Sequence, residues 1–87
     1  MKNIIKRHIN LRDYKIFIFG SRAKGRARKF SDYDVGIIGK KEVPSEKMIL
    51  IEEEFENSDL PYSVEVIDFA MVSDDFKKIA LKKIKKL

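Results

Sequence analysis

The chain has 87 residues, with 44% apolar and 38% charged side chains, a length and balance that fit one domain, residues 1–87, burying roughly 60 to 65% of the surface of its unfolded form. No apolar run approaches the ~20 residues needed to span a bilayer, no signal peptide is visible in the mixed segment Met1 to Asn10, and the absence of cysteine excludes disulfides and thiolate metal sites, so a cytoplasmic protein is expected. The net charge of +5 is uneven: Arg22, Lys24, Arg26, Arg28 and Lys29 crowd one segment, lysines fill residues 77–86, and Glu52, Glu53, Glu54 and Glu56 form an acidic block between them.

In chain order, residues 2–10 carry Ile4, Ile5, His8 and Ile9 as a weak helical stripe. His8, the only histidine, is expected on a helix face, with no nucleophile to pair with. Tyr14 to Phe19 reads as a strand that ends at Gly20-Ser21. Ser21 to Ala27 is expected to form a short helix capped by Ser21 and weakened by Gly25. A second strand runs from Tyr33 to about Ile38, with Gly39-Lys40-Lys41 closing it. Glu46 to Glu56 then places Met48, Ile51, Glu52 and Phe55 at helical spacing. Pro61 to Phe69 alternates as a third strand, with Val64, Val66 and Asp68 on one face and Glu65, Ile67 and Phe69 on the other. The last segment predicts a helix opened by Ser73-Asp74-Asp75 and running to the end, burying Phe76, Ile79, Ala80, Ile84 and Leu87. The alternation of strand and helix gives the class α/β, a small mixed sheet of three to four strands with helices packed on it.

The chemistry concentrates between the first two strands. Gly20, which has no Cβ, lets a phosphate approach main-chain N–H groups where the strand ends. Asp32 and Asp34, two positions apart at the start of the second strand, project to one face with Cα atoms roughly 7 Å apart. Two like charges so placed are stabilised by a cation, and hard oxygen donors suit Mg²⁺. Taken singly, a Gly-Ser turn or an Asp-x-Asp strand start is common; their joint spacing, with a charged Glu65 in a third strand, is what makes the pattern informative.

The segment Gly20 to Ile37, GSRAKGRARKFSDYDVGI, resembles the signature of the DNA polymerase β nucleotidyltransferase superfamily, and the short chain resembles its minimal-nucleotidyltransferase branch. Leu60 to Asp68, LPYSVEVID, is similar to that branch's third-carboxylate strand. The resemblance implies the polymerase β-like nucleotidyltransferase fold and transfer of AMP from ATP to an acceptor with release of pyrophosphate, assisted by two Mg²⁺ ions. It implies that Gly20 and Ser21 hold the triphosphate and that Asp32 and Asp34 bind metal. Glu65 stands where the family usually has Asp, as metal ligand and general base. Arg22 and Lys24 are assigned to the leaving pyrophosphate by position and charge alone.

Members of this branch commonly act as antitoxins to helical HEPN-domain toxins, some by adenylylating the toxin, so a HEPN partner is the expectation. A partner or a second copy is expected to complete an open site. The alternatives are a non-catalytic antitoxin that occludes its HEPN partner and a small-molecule nucleotidyltransferase subunit. A nucleic-acid-binding role for the lysines of residues 77–86 ranks last, because no aromatics interleave them in the manner of a base-stacking surface.

Overall fold

The computed structural model describes residues 1–20 and 33–87. The elements run α1 (Lys2–Lys6), β1 (Tyr14–Phe19), β2 (Tyr33–Gly39), α2 (Ser45–Glu56), β3 (Val64–Asp68), α3 (Asp74–Ala80) and β4 (Lys85–Lys86). The strands form one sheet in the order β3-β2-β1-β4. β1 pairs antiparallel with β2 and with β4, while β2 and β3 are parallel and joined through α2, the crossover that a parallel pair requires. This is the mixed sheet with helical cover that the sequence predicts.

Period-two alternation assigns each strand residue to a face. Val35, Ile37 and Val66 point toward α1 and α2, where Ile5, Ile9, Ile51 and Phe55 complete a buried core. Phe17 and Phe19 point the other way and join Phe69 in a second cluster, against which Val72, Ala80 and Leu81 pack. Gly36 belongs to this second face: a Cβ there would collide with the rings of Phe17 and Phe69. Its absence lets those rings meet edge to face over β2, with centroids 5.0 Å apart.

The buried acid Asp68 ties the first face to its loops. Its Oδ2 accepts from the Val43 N–H at 2.7 Å and its Oδ1 from the Ala70 N–H at 3.0 Å, so the connection into α2 and the turn after β3 share one carboxylate. Two N–H donors offset the desolvation of a charge in such a place. On the outside of the same layer, Glu54 of α2 receives Arg7 Nη1 at 2.7 Å and lies 3.1 Å from His8 Nε2, fastening the residues after α1 to α2.

The end of the chain departs from the expected helix. α3 is capped as predicted, with the Phe76 N–H donating to Ser73 Oγ at 3.2 Å, but it stops at Ala80, and Lys85–Lys86 forms a short strand against β1. Ala80 and Leu81 pack on the aromatic cluster, whereas Leu87 packs on the opposite core. A straight helix cannot cover both faces of a sheet, and crossing past β1 also satisfies backbone groups on its exposed edge. Phe76, Ile79 and Ile84, expected inside, are exposed. The first helix is likewise shorter than its stripe, ending at Lys6, although Ile5 and Ile9 are buried as the stripe implies.

Candidate functional site

Strand register assembles the site. Asp34 lies opposite Phe19 on β1 and opposite Glu65 on β3, so Phe19, Asp34 and Glu65 form a row across three adjacent strands on the aromatic face. Neighbouring strands lie about 5 Å apart, which sets the two carboxylates side by side. Glu65 is solvent-exposed and Asp34 partly buried. The pairing follows from sequence alternation: Val35 and Val66 seek the aliphatic core and are register partners, which forces the residues before them onto the other face.

β1 delivers Gly20 to the same place. Its φ is +75°, in the left-handed region where a side chain is strained. A Cβ on Gly20 would collide with Asp34 Oδ2. The bend and the carboxylate are therefore packed against each other: the backbone angle favours glycine, and any side chain there would displace the Asp34 carboxylate.

Of the residues singled out in the sequence, Gly20, Asp34 and Glu65 are brought together. Ser21, Arg22, Lys24 and Asp32 lie outside the described residues, as does the expected helix from Ser21 to Ala27. Among the described residues no group of three or more metal-ligating side chains converges, so the described part of the site is a pair of carboxylates beside a tight turn. That pair fits a divalent cation by donor chemistry: both are hard anionic oxygens, adjacent on one face and reachable from solvent.

Two features escaped the sequence reading. Asp68 shares a strand face with Val64 and Val66 in the sequence pattern, but its role as a backbone clamp depends on Val43, 25 residues away. The aromatic wall of Phe17, Phe19 and Phe69 continues to Phe76, whose ring centroid lies 6.1 Å from Phe19 and 5.9 Å from Phe69, an arrangement set by the position of α3. The wall matters because Phe19 is itself the register neighbour of Asp34.

The sequence profile described as Polymerase beta, Nucleotidyltransferase matches residues 1–87. The chain belongs to the polymerase beta nucleotidyltransferase family. Within that family, it is 41% identical over 70 residues to the Probable protein adenylyltransferase MntA of Haemophilus influenzae, an overlap of 80% of this chain and 61% of that relative. The four-stranded domain is also similar to a solved toxin-antitoxin complex with AMP-PNP, at a TM-score of 0.76 and 17% identity over 98% of this chain and 67% of the other. A mutant MntA-HpeT toxin-antitoxin complex, in which two aspartates separated by one residue are exchanged for glutamate, matches at a TM-score of 0.75 and 15% identity, covering 98% and 67% of the two chains. These structural likenesses establish the polymerase β-like nucleotidyltransferase fold.

Proposed function

We propose that this chain is the nucleotidyltransferase domain of an antitoxin that transfers AMP from ATP onto a HEPN-type toxin and so neutralises it. The observation that carries the reading is the placement of Asp34 directly beside Glu65 on parallel strands, with Gly20 packed against the Asp34 carboxylate. The name of the Haemophilus relative, protein adenylyltransferase, and the AMP-PNP-bound toxin-antitoxin complex of the same fold support the nucleotide, the reaction and the class of partner.

The residues divide the work by position. The bend at Gly20 exposes main-chain N–H groups to a triphosphate, with Ser21 beside it and Arg22 and Lys24 following to balance the charge of departing pyrophosphate. Asp34 and Glu65, with Asp32 of the same motif, would hold Mg²⁺. When bound, two such ions supply Lewis-acid stabilisation of the attacking and leaving oxygens in an in-line displacement. Glu65, the exposed member of the pair, faces incoming acceptor and takes the proton of its hydroxyl as the oxygen attacks the α-phosphorus. The Asp-x-Asp spacing recurs in the pair of aspartates exchanged in the MntA-HpeT mutant, which supports the assignment of Asp32 and Asp34.

The test is the mass of the toxin after incubation with ATP, Mg²⁺ and the antitoxin. Wild-type protein adds the mass of an adenylyl group, and Asp34→Asn reduces the rate about a hundredfold or more, equivalent to ~3 kcal/mol of transition-state stabilisation. An unmodified toxin that is nonetheless neutralised equally by wild type and Asp34→Asn would identify an occluding binder instead.

A further inference from the structure

We infer that the surface formed by α3 and the residues following it is the docking site for the protein acceptor, and that it receives a helix whose apolar side chains are flanked by carboxylates. This rests on the transferase reading above and adds where the acceptor binds and which chemistry selects it.

Among the described residues, the exposed large hydrophobics fall into two groups: Ile49 and Leu50 on α2, and Met71, Phe76, Ile79 and Ile84 in and around α3. The second group includes the two most exposed, Met71 at 70% and Ile79 at 64%. Exposed apolar side chains concentrated in this way mark an interaction surface. Past the first turn of α3, which carries Asp74 and Asp75, its charge is of one sign, because residues 76–87 contain six lysines and no acid. The lysines set a polar rim around aliphatic contacts, the layout of a protein interface.

The surface also leads to the site. Leu81 and Ile84 line a groove of about 520 Å³ with Lys15, Lys86 and Leu87, and among the described residues no acid borders it. From that groove α3 runs back to Phe76, whose ring meets Phe19, and Phe19 is the register neighbour of Asp34. A helix with one side chain seated in the groove and its length along α3 would present its next turns to Asp34 and Glu65. Tethering an acceptor hydroxyl in this way converts a bimolecular attack into an oriented one.

The chemistry favours a protein over other anionic partners. Exposed Met71, Ile79 and Ile84 offer nothing to phosphates, and the aromatics of the surface and its groove are engaged within the fold rather than presented for base stacking: Phe76 packs on Phe19 and Phe69, Phe17 on Phe69, and the Tyr14 hydroxyl donates to the Glu42 carbonyl. At seven residues, α3 is also too short to lie in a lipid interface as an amphipathic anchor.

The experiment compares wild type with Ile79→Glu/Ile84→Glu, both exposed positions remote from the carboxylates in sequence. Three readouts are taken after thermal melting confirms folding: toxin affinity by calorimetry, the rate of toxin adenylylation, and AMP-PNP affinity. The inference expects toxin affinity and adenylylation rate to fall about tenfold or more with AMP-PNP affinity unchanged, and wild-type toxin affinity to weaken as salt is raised. Equal toxin affinity in the two proteins would overturn it. So would a dimer of the chain alone that the double variant dissolves, since a second copy, offering Ile49 and Leu50 beside Glu46 and Glu53, would then be the occupant. Binding of poly(U) that the variant abolishes, with toxin affinity intact, would also overturn it. If wild type transfers no AMP, the transferase reading fails while calorimetry still decides the docking surface.

Discussion

The two faces of the sheet have been put to different uses. Toward α1 and α2 the strands present aliphatic side chains that are fully removed from solvent, among them Val35 and Ile37 at 0% exposure, and Ile51 of α2 meets them equally buried. Toward α3 they present a compact cluster of phenylalanines and, in the same rows, Asp34 and Glu65. The first face supplies the larger share of the hydrophobic stabilisation that a domain of this size needs. The second face accepts a lower density of cover, and so two carboxylates can share a row and remain reachable. Because both faces belong to the same strands, the packing of one fixes the register of the other.

That contrast predicts separable effects. Truncating Ile51→Ala removes a fully buried side chain from the aliphatic face and is expected to cost about 2 to 5 kcal/mol, measured as a fall in the urea midpoint, with AMP-PNP affinity of the remaining folded protein unchanged. A comparable loss of nucleotide affinity in the folded fraction would show that the faces are not separable.

Asp68→Ala sharpens the comparison, because it removes a carboxylate from the supporting face. The Val43 and Ala70 N–H groups would lose their acceptor, at an expected cost of about 1 to 3 kcal/mol, again read by denaturant unfolding. Metal-dependent transfer per folded molecule should survive, in contrast to Asp34→Asn. Loss of transfer at unchanged stability would instead bring Asp68 into the chemistry.

The smallest effect is expected at the outer surface. The Arg7 side chain is 62% exposed and its partner Glu54 30%, and exposed ion pairs contribute less than about 1 kcal/mol. Arg7→Ala should shift the thermal midpoint only slightly, the more so in high salt, where the pair is already screened. A large shift would mean that the link from α1 to α2 carries more of the fold than burial suggests.

What was legible in the sequence follows the same division. Elements whose pattern is decided by local alternation or period emerged with sharp limits: Tyr14 to Phe19 matches β1, and the helix from Glu46 to Glu56 begins one residue earlier, at Ser45. The division of the third strand into two faces also emerged, with Asp68 grouped with Val64 and Val66 and Glu65 grouped with Ile67 and Phe69. The last segment did not, because Phe76, Ile79, Ala80, Ile84 and Leu87 follow a helical stripe, while the deciding influence was the open edge of β1, which no local pattern reveals. In the site, the sequence named Gly20, Asp34 and Glu65 from motif and spacing, and strand pairing brings those three together. The groove beside Ile84 was not legible, since it exists only where the end of the chain crosses from one face to the other.

The central claim is that Asp34 and Glu65 act as one cation clamp. It is tested most directly by Mn²⁺ affinity, measured by electron paramagnetic resonance in the presence of AMP-PNP, for wild type, Asp34→Asn, Glu65→Gln and the double variant. The account predicts that each single substitution weakens binding about tenfold or more and that the double variant loses less than the product of the two, the non-additivity of groups sharing one ligand. Wild-type affinity in Glu65→Gln would contradict it.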